Sequence, residues 1–183
     1  MGKLVFHYGA MNSGKSLELM KFRYNLKQAG QNVLTWIPDY SEEHRTIKSR
    51  AMKEEIEPDI ISNVVENIVS IVRKQLTLNS KVYLLIDEAQ FLFSSTVGVL
   101  KTLTEDNDIE IHCYGLLTTC DIEMWETSQE LLLLADKVEE IPSLCEECGE
   151  RKAKFHIKSN GGQHDKDTYK SVCWGCHNAN WNI

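Results

Sequence analysis

Three groups of residues carry chemistry in this 183-residue chain. The first is Gly9-Ala10-Met11-Asn12-Ser13-Gly14-Lys15-Ser16, which fits G-x-x-x-x-G-K-[ST]. Its glycines let backbone N–H groups curl around phosphate oxygens, and a following helix adds the positive end of its dipole. In such a loop Lys15 reaches the β and γ phosphates of ATP and Ser16 holds Mg²⁺. The second group is Asp87-Glu88, which closes the apolar run Val82-Tyr83-Leu84-Leu85-Ile86. A carboxylate ending an apolar strand is well placed beside Mg²⁺ in a phosphate-loop protein. Adjacent strand residues point to opposite sides, so Asp87 takes the metal and Glu88 can take a proton from a hydroxyl or a water. The third group is two Cys-x-x-Cys pairs, Cys145/Cys148 and Cys173/Cys176, with 24 residues between them. Two thiolate pairs suit tetrahedral Zn²⁺, and four cysteines leave no open position, so the expected role is structural. His177 stands beside the last pair as an alternative ligand. Cys113 and Cys120 are expected to pack as small side chains.

The elements that must position these groups alternate. Leu4–Tyr8 is a short β-prone run ending at Gly9; Ser16–Ala29 has helical spacing and Gly30 as its stop. Asn32–Ile37 is a second strand ended by Pro38, and 39–57 is polar enough to be a loop. Asn63 with Glu66 forms a capping pair before a helix whose face is Val65, Ile68, Val69, Val72 and Leu76. Lys81–Ile86 is a strand apolar on both faces, Ser94 or Ser95 starts a helix, and Ile109–Tyr114, Thr127–Ala135 and Lys137–Ile141 continue the alternation. Strands alternating with helices predict a parallel α/β sheet flanked by helices. After Pro142 the composition turns to Cys, Gly, Lys and Asn, which predicts two parts: 1–141, an α/β nucleotide-binding domain, and 142–183, a small zinc-binding unit.

With 27 acidic residues against 20 Lys plus Arg, the chain carries −7. That balance argues against broad binding to nucleic acid or anionic membrane, but leaves room for a local phosphate site. No apolar run is long enough to span a bilayer. Met1–Tyr8 lacks a secretory h-region, and paired cysteines in that setting fit metal binding in a reducing, cytoplasmic compartment. The basic residues of the tail alternate with Glu146, Glu147, Glu150, Asp165 and Asp167, so no basic stripe for nucleic acid forms.

The motifs together resemble those of the type II thymidine kinases, the cytosolic, bacterial and viral type. The phosphate loop with its Met11 is similar to theirs. So are Ile47-Lys48-Ser49-Arg50, Ile86-Asp87-Glu88-Ala89-Gln90-Phe91, Cys113-Tyr114-Gly115-Leu116, the two Cys pairs, and the segment from Tyr169 to Cys173. The resemblance implies a RecA-like core and a zinc-ribbon subdomain carrying a lasso loop over the base. It implies transfer of the ATP γ-phosphate to the 5′-hydroxyl of thymidine, with ATP, Mg²⁺ and Zn²⁺ as cofactors. Glu88 is then the general base, Arg50 balances phosphate charge, and Ser16 and Asp87 contact Mg²⁺. Gly9 through Ser16 and Asp87, Glu88, Ala89 and Gln90 bind ATP, and Met11, Phe91, Leu116 and Tyr169 meet the nucleoside. A homotetramer inhibited by thymidine triphosphate is also implied. Two positions depart from the pattern. Leu117 stands where the family commonly has Arg, and Cys120 where an aromatic packs on the base; Trp125 or Trp174 is a candidate replacement ring. Kinases of altered base preference, a P-loop ATPase with a binding ribbon, and an inactive nucleotide-binding relative are the competing expectations.

Overall fold

The computed structural model describes residues 2–42, 45–50, 53–78, 81–106, 108–159 and 168–181. β1 (Lys3–Tyr8) leads into α1 (Lys15–Gln28) and β2 (Asn32–Ile37). A hairpin of β3 (Ile47–Ser49) and β4 (Glu54–Ile56), the short β5 (Ile60–Ile61) and α2 (Val65–Leu78) follow. Then come β6 (Val82–Ile86), a 3-10 turn (Ala89–Phe91), α3 (Ser94–Leu103), β7 (Ile109–Gly115), α4 (Glu126–Leu134) and β8 (Lys137–Glu140). β9 (Phe155–Ser159), β10 (Thr168–Val172) and α5 (Trp174–Trp181) close the described chain.

Six strands form one sheet in the order β5-β2-β6-β7-β1-β8. Every neighbouring pair in it is parallel, so all six C-terminal ends share one edge. Alternation along β6 explains why it sits near the middle. Leu84 and Ile86 pack toward Ile68, Val72, Val97 and Leu100 of α2 and α3, while Leu85 joins Leu19 and Leu26 of α1 on the opposite face. Both faces of the sheet are therefore covered by helices, and each such side chain contributes roughly 1.5–3 kcal/mol by leaving water.

Two local expectations change. The polar stretch after Pro38 holds the β3–β4 hairpin: Ile47 is fully buried against the α1 side while Lys48, Glu54 and Glu55 face solvent. Three-residue strands leave too little periodicity to detect. Asn63 braces the chain leaving β2, since its Oδ1 accepts from Asp39 N–H at 3.1 Å and its Nδ2 donates to Asp39 C=O at 2.7 Å. The cysteine-rich tail builds an antiparallel β9–β10 hairpin, with α5 starting directly after Cys173.

Candidate active site

Parallel strands deliver their loops to one edge, and ligands bind there. A cavity of about 850 Å³ lies at that edge. Met11, Asn12, Gly14, Lys15 and Ser16 reach it from β1, Ile37 and Tyr40 from β2, Lys48 to Arg50 from the hairpin, Asp87, Glu88, Gln90 and Phe91 from β6, Leu116 from β7 and Tyr169 from β10. Of the residues singled out by sequence, Met11, Asn12, Gly14, Lys15, Ser16, Arg50, Asp87, Glu88, Gln90, Phe91, Leu116 and Tyr169 line this cavity. Gly9, Ala10, Ser13 and Ala89 are not part of its lining. Residues 160–167, between the two Cys pairs, lie outside the described residues.

The phosphate loop turns on Gly14, which caps α1 at φ 89, a left-handed conformation that costs glycine little. Lys15 is 8% exposed, and its Nζ donates to the carbonyls of Ala10 at 2.8 Å and Gly9 at 3.3 Å. Burial lowers its pKa, and the nearby Glu88 and Asp87 charges oppose that. Asp87 is 3% exposed, and its carboxyl is pushed upward by burial and by Glu88, against a hydrogen bond from Ser16. Ser16 and Asp87 are thus in contact, and a hydroxyl beside a buried carboxylate is the hard-oxygen donor set that suits Mg²⁺.

Glu88 adopts φ 53, a left-handed conformation that an L-residue holds only when its surroundings impose it. Its carboxylate accepts from Gln90 Nε2 at 2.6 Å, and Gln90 Oε1 accepts from Leu116 N–H at 3.0 Å. Gln90 thereby ties Glu88 to the end of β7. It fits because residue 115 is glycine: a Cβ there would lie 2.9 Å from Gln90 Oε1.

Phe91 is the centre of an aromatic group. Tyr40 stacks on it with ring centroids 4.0 Å apart, and Trp125 meets its edge at 5.3 Å. Burial raises the Tyr40 pKa, reinforced by the Glu88 and Asp87 charges. Tyr40 was not marked by the sequence; an aromatic just past Pro38, at a parallel strand's C-terminal end, was the available signal. Trp174 is elsewhere, half exposed beside Phe155 and His177. Cys120 sits at the tip of a tight turn closed by Trp125 N–H on Leu117 C=O, and Leu117 packs against the main core.

The four cysteines Cys145, Cys148, Cys173 and Cys176 bring their sulfurs within 4.8 Å of one another. Cys148 Sγ and Cys173 Sγ are 3.9 Å apart, close to the ~3.8 Å edge of a tetrahedron with Zn–S bonds of about 2.3 Å. The Cys145 thiol lies below its usual range, because backbone N–H groups of Cys148, Cys173 and Glu147 together outweigh its burial. This donor set fits zinc.

His156 was also not anticipated. It is 4% exposed, and its Nε2 accepts from Met11 N–H at 3.0 Å. Burial, then the charge of Lys15, lowers its pKa to about 4. Its folded pKa lies below the unfolded value near 6.5, so the unfolded chain takes the proton first and stability falls as pH drops through that window. His7, also near 4 through burial and His112, acts in the same direction, whereas the raised Asp87 acts against them. Replacement at His156 isolates one contribution. The loss of unfolding free energy between pH 7.5 and pH 5.0 is expected to be about 2 kcal/mol smaller in His156→Gln than in the wild type. Urea titrations at the two pH values measure it, and equal losses would refute it.

A phosphate loop, a buried carboxylate against its serine and a second carboxylate held by Gln90 over one cavity define a P-loop nucleotide-binding protein. A family model described as Thymidine kinase matches residues 2–177, and the chain belongs to the thymidine kinase family. A thymidine kinase of Rhodopirellula baltica is 34% identical over 185 residues, covering 94% of this chain and 86% of that one. One of Streptococcus agalactiae is 35% identical over 167 residues, covering 89% and 85%. One of Zymomonas mobilis is 36% identical over 147 residues, covering 79% and 75%. Among solved structures, that of C. elegans PCH-2 is similar over 75% of this chain and 35% of that chain, at TM-score 0.45 and 17% identity.

Proposed function

We propose that this chain transfers the γ-phosphate of ATP to the 5′-hydroxyl of thymidine, giving thymidine monophosphate. The observation that carries the proposal is the meeting of Lys15, Ser16, Asp87 and Glu88 with the Phe91–Tyr40 ring pair around one cavity. Phosphoryl transfer needs alignment and charge neutralisation more than covalent help. Gly9 to Ser16 hold the phosphates, and Ser16 and Asp87 would hold Mg²⁺, which neutralises phosphate charge when bound. Lys15 and Arg50 add positive charge on the phosphate side. Glu88, oriented by Gln90, takes the proton from the 5′-hydroxyl. Met11, Phe91, Leu116 and Tyr169 surround the nucleoside, and Tyr40 backs Phe91.

The same proposal includes a zinc-bearing unit at 142–183 set against a nucleotide-binding domain at 1–141. It also includes a homotetramer, inhibition by thymidine triphosphate and a cytoplasmic setting. Among the described residues, no helix is long and apolar enough to cross a membrane.

The test is ATP-dependent phosphorylation of thymidine, deoxyuridine, deoxycytidine and deoxyguanosine side by side. Thymidine is expected to turn over fastest. Deoxyuridine should follow at roughly 10–200-fold lower kcat/KM, the discrimination one methyl group allows in an apolar pocket. A faster rate with deoxycytidine or deoxyguanosine would overturn the base assignment and point to Leu117 and Cys120. ATP hydrolysis with no nucleoside product would overturn the kinase assignment.

A further inference from the structure

We propose that His156 and Ser171 are positioning residues for phosphoryl transfer: the β9–β10 hairpin sets the orientation of two consecutive peptide planes in the phosphate loop. The proposal rests on the assignment of Gly9 to Ser16 as that loop. His156 and Ser171 face each other across the hairpin, paired in its register, and are 4% and 1% exposed. Both reach out of their own element to the same residue, Met11.

The first plane joins Ala10 to Met11. On one side its N–H donates to His156 Nε2 at 3.0 Å; on the other its C=O accepts Lys15 Nζ at 2.8 Å. His156 therefore holds the plane against which the Lys15 ammonium rests. The Thr119 backbone also faces this imidazole and favours its charged form. The second plane joins Met11 to Asn12. Its C=O accepts from Ser171 Oγ. The peptide bonds described are all trans, so the N–H of Asn12 points away from the hairpin. Asn12 lines the cavity, so that N–H is one the loop can offer to phosphate. Asn12 itself is left-handed at φ 59, a conformation that needs outside support. It receives it: Glu146 Oε1 accepts from Asn12 Nδ2 at 3.0 Å and from Ser171 N–H at 3.1 Å, and Arg50 Nη1 donates to Asn12 Oδ1.

A loop of fixed N–H donors stabilises a developing charge because no reorganisation is needed at the moment of reaction. This loop has no strand partner of its own between Ala10 and Gly14, and the hairpin supplies the missing bonds. Removing the His156 acceptor leaves a half-buried N–H unpaired, and removing the Ser171 donor frees the second plane to rotate.

The test uses the full zinc-loaded chain with His156→Phe, Ser171→Ala, the double variant, and His156→Gln, which restores an acceptor. Affinity for a non-hydrolysable ATP analogue with Mg²⁺, kcat, the KM for thymidine, zinc content and melting temperature are measured. Each single variant is expected to weaken the analogue and lower kcat about tenfold with zinc content unchanged. His156→Gln is expected to return both to within about threefold. The double variant should lose less than the product of the singles, because the two residues brace one loop. A purely structural role would lower the melting temperature alone, and that result overturns the proposal. If a variant fails to fold, hydrogen exchange on the wild type decides. Amides of β9 and β10 should slow when the analogue binds, and unchanged exchange overturns the proposal. Should the wild type not bind the analogue at all, or should Lys15→Ala bind it equally well, the phosphate-loop assignment fails first and the inference with it.

Discussion

Glu88→Gln is expected to lower kcat by about 10²–10⁴-fold, the range typical of losing a positioned general base. Affinity for an ATP analogue should stay within about threefold. The amide is nearly isosteric with the carboxylate, so the geometry around it should persist. Gln90 Nε2 can still donate to the remaining oxygen at position 88, and Gln90 Oε1 keeps its bond from Leu116 N–H. What disappears is the capacity to accept a proton from the 5′-hydroxyl. The chemical step therefore slows while the phosphate loop and Asp87 remain in place. Single-turnover kinetics under saturating ATP and thymidine isolate this step from product release. A loss smaller than about fivefold would show that Glu88 is not the base. A comparable loss of analogue affinity would show instead that its charge serves nucleotide binding.

The parts of this site that were legible in the sequence are those built within one short segment. The strand, loop and helix around Gly9 to Ser16 follow from local chemistry. So do the apolar β6 and the carboxylates at its end, because strand, turn and helix each leave their own period or spacing. The parts that were not legible are made by contacts between distant segments. Tyr40 meets Phe91 because β2 and β6 are parallel neighbours with Trp36 opposite Ile86, so the chains leave the sheet side by side. Neither residue alone carries a signal of that pairing. His156 and Met11 are 145 positions apart, and a histidine amid a basic and acidic tail reads as a solvated side chain until the fold buries it. β5 escaped for a simpler reason: two residues cannot show a period. Trp125 and Trp174 had equal claims by sequence, and only the turn closed on Leu117 brings Trp125 to Phe91.

Removing zinc is expected to unfold the C-terminal unit and leave the α/β domain standing. The small core there consists of Cys145, Val172 and Cys173, with Phe155, Ile157 and Cys176 packed on it. Three of those six side chains are the proposed ligands themselves. Among the remaining apolar side chains, Val172 is the one fully buried, worth roughly 1.5–3 kcal/mol. Ordering a single residue's backbone costs about 1–2 kcal/mol, so this core cannot hold even the ten described residues of β9 and β10. A structural zinc site supplies on the order of 10–16 kcal/mol, which covers the difference. The α/β part has its own core on both faces of the sheet, so it is expected to stand without the metal. Elemental analysis should find one zinc per chain in the native protein. Dialysis against a chelator at low pH, or Cys148→Ser, should make the chain after Ile141 sensitive to protease while a fragment of the α/β domain resists. Activity should fall by more than 100-fold, because Tyr169 and the Met11 contacts of His156 and Ser171 depart together. Zinc-free protein with an unchanged proteolytic pattern would refute the metal's structural role. A digest that spares neither part would show that the two cores fold as one.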